Sequence, residues 1–172
     1  MCKFRDLRAD EIECRVQSVK PNGLVLLLYK DARVDMNILD EAVGSANWQR
    51  EHYECKGNLF CRVGIDLNAI HEIKEPRWVW KSDCGTESNT EAQKGEASDS
   101  FKRACFNWGI GRELYTAPFT WIPGEKCNIN NGKCYDKFAV EKIIIENKQI
   151  TALAIWNVTK NCRAFVWQKD KK

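Results

Sequence analysis

Ala97-Ser98-Asp99-Ser100-Phe101-Lys102-Arg103-Ala104-Cys105-Phe106-Asn107-Trp108 is the stretch on which the fold turns. Ala97, Phe101, Ala104, Cys105 and Trp108 fall at i, i+4, i+7, i+8 and i+11, one apolar stripe along an α-helix. Gly109-Ile110-Gly111 ends the helix. Such a stripe must be buried against something, and the residues upstream supply strands. Leu59, Cys61, Val63 and Ile65 alternate with Phe60, Arg62, Gly64 and Asp66, the period of two expected of a half-buried strand. Trp78-Val79-Trp80 marks a second strand, with the polar segment from Leu67 to Glu75 as the hairpin loop between them. Gly85-Thr86-Glu87-Ser88-Asn89-Thr90 reads as the loop leading into the helix.

Further upstream, Ile12, Val16 and Val19 at helical spacing after Asp10 predict a short helix, which Pro21-Asn22-Gly23 closes. Leu24 to Tyr29 is an apolar run of strand length. Met36, Leu39 and Val43 predict a second short helix from Asp35, stopped by Gly44. Downstream, Pro118 and Pro123 mark a linker. Phe138 to Glu146 and Gln149 to Asn157 flank the two-residue turn Asn147-Lys148, and Arg163 to Trp167 adds a third strand. The expected class is α+β.

Composition narrows the function. The chain has 172 residues and is 44% hydrophobic, enough for a sizeable core. No apolar run approaches the roughly 20 residues of a spanning helix, so no membrane role is expected. Met1-Cys2-Lys3-Phe4-Arg5-Asp6 has no secretion-signal character, which predicts a cytoplasmic location. A net charge of +3 excludes a wholly basic, histone-like protein and requires any anion-binding surface to be local. Nine cysteines without a C-x-x-C pair predict buried thiols, not a zinc site or a disulfide framework.

Enzymatic motifs are missing or broken. Gly109-Ile110-Gly111-Arg112-Glu113-Leu114 lacks the third glycine of a dinucleotide fingerprint and follows a helix where the motif requires a strand. No phosphate-cradling G-x-x-x-x-G-K-S/T loop occurs, so no nucleotide cofactor is expected. His52 and His71, the two histidines, sit in polar surroundings without a nucleophile beside them. Asp66, Asp83 and Glu87 are the one cluster that would serve a metal-dependent nuclease, against the plainer reading of surface and loop acids. The expectation is a protein that is not an enzyme and carries no cofactor or metal.

Cations on the striped helix are more suggestive. Lys94, Lys102 and Arg103 share it, and Arg112 follows its end. Lys102 and Arg103 are neighbours and cannot both point into a core, so the helix offers a charged edge to a phosphate backbone. An ordinary solvated face, or ion pairs with Asp99 or Glu96, accounts for the same residues equally well.

Lys94 to Ala104, with Asp83-Cys84-Gly85-Thr86 before it and Trp108-Gly109-Ile110-Gly111 after it, resembles the core signature of the Rad-fifty-two-type single-strand annealing proteins, including those of phages and prophages. Tyr29-Lys30-Asp31-Ala32-Arg33-Val34, followed by Gly44 and Trp48, resembles a second patch of that family. The likeness covers about Asp10 to Tyr115. It implies an antiparallel sheet packed on the long helix, a β-β-β-α annealing core over residues 1–118, and a strand-rich extension over 119–172. By the same resemblance, Arg33 matches an arginine that contacts the strand backbone. Lys102 and Arg103 match the Lys-Arg pair of the inner groove, and Lys94 an earlier basic position; Lys30 and Arg112 complete the expected DNA-binding set. The family's further basic position, three residues beyond the pair, is Phe106 here. The loop before the helix is shorter than in the eukaryotic protein, which bears on the family's outer DNA site. The implied function is ATP-independent binding of single-stranded DNA and annealing of complementary strands in recombination and repair. The implied partners are further copies of the chain in a ring or helical filament, and a single-strand-binding protein or exonuclease, in a bacterial or phage-infected cell. The alternatives are a single-strand-binding protein that does not anneal, and the nuclease.

Overall fold

The computed structural model describes residues 3–71, 73–86 and 92–170. In chain order the regular elements are β1 (Glu13–Lys20), β2 (Gly23–Tyr29), α1 (Ala32–Val43), β3 (Trp48–Cys55), β4 (Asn58–Asp66), β5 (Trp78–Cys84), α2 (Ala92–Trp108), β6 (Thr120–Pro123), β7 (Phe138–Glu146), β8 (Gln149–Asn157) and β9 (Cys162–Gln168). Short 3-10 turns lie between them. The class is α+β, with two α-helices and two antiparallel sheets among the described residues. Among the described residues no helix is long and apolar enough to cross a membrane.

The chain forms two compact units, Met1–Arg5 with Ala32–Gly111, and Asp6–Asp31 with Arg112–Lys172. In the first, β3, β4 and β5 make a three-stranded sheet in that order. One face carries Cys61, Val63 and Ile65, all fully buried. Helix α2 lies on this face with Phe101, Ala104 and Cys105 fully buried, and α1 packs beside α2. Strand β3 was not legible as an apolar run because it is an edge strand with almost every residue exposed. Its inward residues are amphipathic: Trp48 stacks on Phe101 at 6.1 Å, and Arg50 lies 4.8 Å over the same ring. His52 Nε2 lies 3.1 Å from the Ala97 carbonyl.

The second unit is a six-stranded sheet ordered β6-β2-β1-β7-β8-β9. Here the helix expected from Asp10 to Val19 gives way to a strand. Glu13, Arg15 and Gln17 alternate with the half-buried Cys14, Val16 and Ser18, and that period of two outweighs the helical spacing of Ile12, Val16 and Val19. A bulge between Val16 and Ser18 shifts the register, which is why Val19 falls out of step. Asp10 sits in the 3-10 turn Ala9–Glu11 instead of capping a helix. The expected linker between Pro118 and Pro123 contains β6, which pairs with the far edge of β2. The Asn147-Lys148 turn joins β7 to β8 with φ of 51° and 61°, the left-handed pair that suits a two-residue hairpin. Compactness does not divide the chain at residue 118, because β1 and β2 pair with strands from beyond it.

Candidate nucleic-acid interface

Within the first unit the two halves of the Asp83-to-Thr86 and Glu96-to-Arg103 pattern meet in space. Gly85 sits so close to α2 that a Cβ there would lie 2.3 Å from the Glu96 carbonyl oxygen and 3.0 Å from the Ser100 nitrogen. Only a residue without a side chain lets β5 pass directly onto the helix. Asp99 Oδ2 accepts both the backbone N–H of Thr86, at 3.1 Å, and its hydroxyl, at 3.2 Å. Glu96 Oε1 accepts the Leu59 N–H at 3.0 Å. These two carboxylates therefore fasten the helix to the sheet and its loop.

Asp83 is the acid that faces Arg103. Both Nε and Nη2 of the guanidinium lie 3.4 Å from Asp83 Oδ1. The Cys84 N–H donates to the same oxygen at 2.9 Å, and Asn107 Nδ2 lies 3.4 Å from Oδ2. At the far end of the helix, Lys81 Nζ donates to the Asn107 carbonyl at 2.9 Å and sits 4.5 Å over the Trp108 ring. A cation at a helix C-terminus is favourable. Trp108 Nε1 in turn donates to the Val63 carbonyl at 3.0 Å. Strand pairing, helix packing and polar contacts all hold α2 in one orientation, so the positions of Lys102 and Arg103 follow from the sheet.

Both residues are half-buried along their stems on the flank of α2. Lys102 forms no ion pair among the described residues. Arg103 keeps 42% of its side chain exposed despite the contact with Asp83. This is a pair of adjacent, partly exposed cations on a helix fastened to the sheet. The chain is matched over residues 5–132 by the model of the Rad52/22 family double-strand break repair proteins. It belongs to that family. Searches among curated proteins and among solved structures found no match.

The Rad52/22 match takes in β1 to β6 with both helices, and leaves β7, β8 and β9 outside it. Other residues expected at the site are distributed as follows. Arg33 is exposed in the first turn of α1, in the same unit as Lys102 and Arg103. Lys94 lies on α2 near its start, and its side chain is outside the described ones. Arg112 and Lys30 belong to the other unit. Arg112 is exposed at the start of the Arg112–Thr116 turn, whereas Lys30 is only 7% exposed. A lysine buried to that degree presents little charge to a strand.

The acids considered as metal ligands do not gather. Asp66 pairs with Trp78 and Asp83 with Cys61, at opposite ends of the β4–β5 ladder and on opposite faces. Asp66 Oδ1 instead accepts the N–H groups of Arg77, Asn68 and Ala69, and the first of these does most to hold its pKa below the usual carboxylate range. Glu87 lies outside the described residues. Among the described residues no three His, Cys, Asp or Glu side chains come together to hold a metal ion. Two contributors to the site carry little signal in the sequence. Asp83 reads there as a candidate metal ligand and as the start of the Asp83-to-Thr86 stretch, with nothing to mark it as the partner of Arg103, and Lys81 is not singled out there.

Proposed function

We propose that this Rad52/22-family chain binds single-stranded DNA and anneals complementary strands without ATP, working as a ring or helical homo-oligomer in the cytoplasm of a bacterial or phage-infected cell. The supporting observation is the fixed, half-exposed Lys102–Arg103 pair on α2, clamped to the sheet through Gly85 and Asp99. The strand-handling core lies within residues 1–118 as the β3–β4–β5–α2 run with α1 beside it. Residues 119–172 supply the extension.

Lys102 and Arg103 hold phosphates, and Arg33 from α1 extends the contact. Lys94 is a secondary contributor. Backbone contacts leave the base edges free, so complementarity is tested by Watson–Crick pairing while the protein supplies position and charge neutralisation. No bond is made or broken, and no nucleotide is consumed. Phe106 stands where the family has a further cation, so this groove relies more heavily on Lys102 and Arg103.

The test is K102A/R103A, read by anisotropy of a fluorescent oligothymidine across a salt series. Losing two phosphate contacts should weaken binding and reduce the slope of log K against log salt, by up to about 1.4 at about 0.7 per contact for single strands. Annealing of complementary oligonucleotides should fall with it, while thermal stability and oligomer size stay as in the parent. Binding equal to the parent at every salt concentration would refute the assignment.

A further inference from the structure

We propose that Asp83 is a resident counter-ion which a nucleic-acid phosphate must displace from Arg103, and that this exchange limits how tightly a strand is held. The inference rests on the reading that Arg103 contacts the strand, and goes beyond it by assigning a regulating role to an acid.

Three features of the contact support it. First, the contact is long: 3.4 Å from each guanidinium nitrogen, against about 2.7–2.9 Å for a strong charge-assisted bond. Second, it is not a fork-to-fork pair, because both nitrogens address Oδ1 while Oδ2 faces Asn107. Arginine favours anions whose two oxygens accept parallel bonds, and the two free oxygens of a phosphate offer them. Third, Asp83 does not depend on Arg103 for its place. The Cys84 N–H and Asn107 Nδ2 address its two oxygens. At 25% exposure the carboxylate is also still solvated, so it would not be left bare if the arginine turned away. The arginine can therefore change partners without leaving a stranded buried charge.

The exchange has a signature in salt dependence. When Arg103 neutralises a phosphate, the strand releases a condensed cation. The Asp83 carboxylate left behind regains its own diffuse counter-ions, which offset part of that release. Asp83 thus weakens binding, speeds strand release and blunts the salt dependence, which suits a protein that must let go of an annealed product.

The experiment compares D83N with the parent protein, using the same oligothymidine. D83N preserves the side-chain shape and an oxygen for the Cys84 N–H. It should bind two- to five-fold more tightly, dissociate more slowly and show a steeper slope, by less than the roughly 0.7 of one whole contact. In an R103A background the same substitution should change neither affinity nor slope. D83E, which keeps the charge, should hold the parent slope, and E51Q should not steepen it. Glu51 pairs with Arg62 on the opposite face of the sheet, so it controls for the loss of one negative charge. Should D83N fail to fold, D83S is read in the same way. Unchanged or weaker binding by the folded Asp83 variant overturns the proposal, as does an equal gain in the R103A background. Failure of K102A/R103A to weaken binding would instead refute the functional reading itself, so the two failures are told apart.

Discussion

Phe101 is where the sequence pattern and the packing coincide most closely. Its ring is fully buried, stacked by Trp48 on one side and covered by the Arg50 guanidinium. F101A should cost about 3–5 kcal/mol, the usual range for emptying an aromatic site, measured as a shift in the denaturant midpoint. The cysteines give a second prediction at this scale. Burial pushes the Cys14 thiol up to about 12 and the Cys61 thiol up to about 11, from 9.0. A raised folded-state value means that the thiols' contribution to stability is complete below the unfolded value and is lost as pH climbs through the folded one. The melting temperature should therefore decline from pH 9.0 toward pH 11 and 12. In mildly alkaline buffer iodoacetamide should label the exposed Cys55 well before Cys14 or Cys61, as peptide mass mapping would report.

Elements show where a reading from residues succeeds and where it stops. Helix α2, the strand pair around Phe60 and Trp80, and the Asn147-Lys148 hairpin were legible because each has a strong local period or turn signal. Strand β1 was misread because Ile12, Val16 and Val19 satisfy a helical spacing by accident of a bulge. Strand β3 was missed because its inward face is Trp48, Arg50 and His52, side chains that pack through stacking and polar contacts with α2 and leave no apolar run. At the site, the cations stand out in the sequence, but the pairing of Asp83 with Arg103 does not, since the two lie twenty residues apart. Gly85 ties these elements together. An alanine there has its Cβ 2.3 Å from the Glu96 carbonyl, a backbone atom that cannot swing aside. G85A should push α2 from β5 and destabilise the protein by about 1–3 kcal/mol, as overpacking generally does. Strand binding should weaken too, because the helix bearing Lys102 and Arg103 loses its fixed seat. A thermal melt and the oligothymidine titration, run together, check both effects.

At the scale of the whole molecule, a net charge of +3 is compatible with the proposed strand-binding surface through local order. Arg62 is neutralised by Glu51, Arg163 by Glu141 and Lys148 by Asp6, so these cations are already paired. The α2 cations stand out by position and not by number. Strand binding should accordingly respond steeply to salt in the parent protein and hardly at all to R163A, whose partner Glu141 it leaves on the surface of β7. A parallel salt titration of the two proteins decides this. The threading of the chain has a practical outcome. It leaves the six-stranded sheet after β2, completes the other unit, and returns to lay down four more strands. A truncation that stops after α2 would strip β1 and β2 of both their outer neighbours and expose the apolar run Leu24 to Leu28 along an open edge. Such a fragment would be expected to clump, and its failure to bind DNA would be misread as proof that the discarded tail recognises the strand.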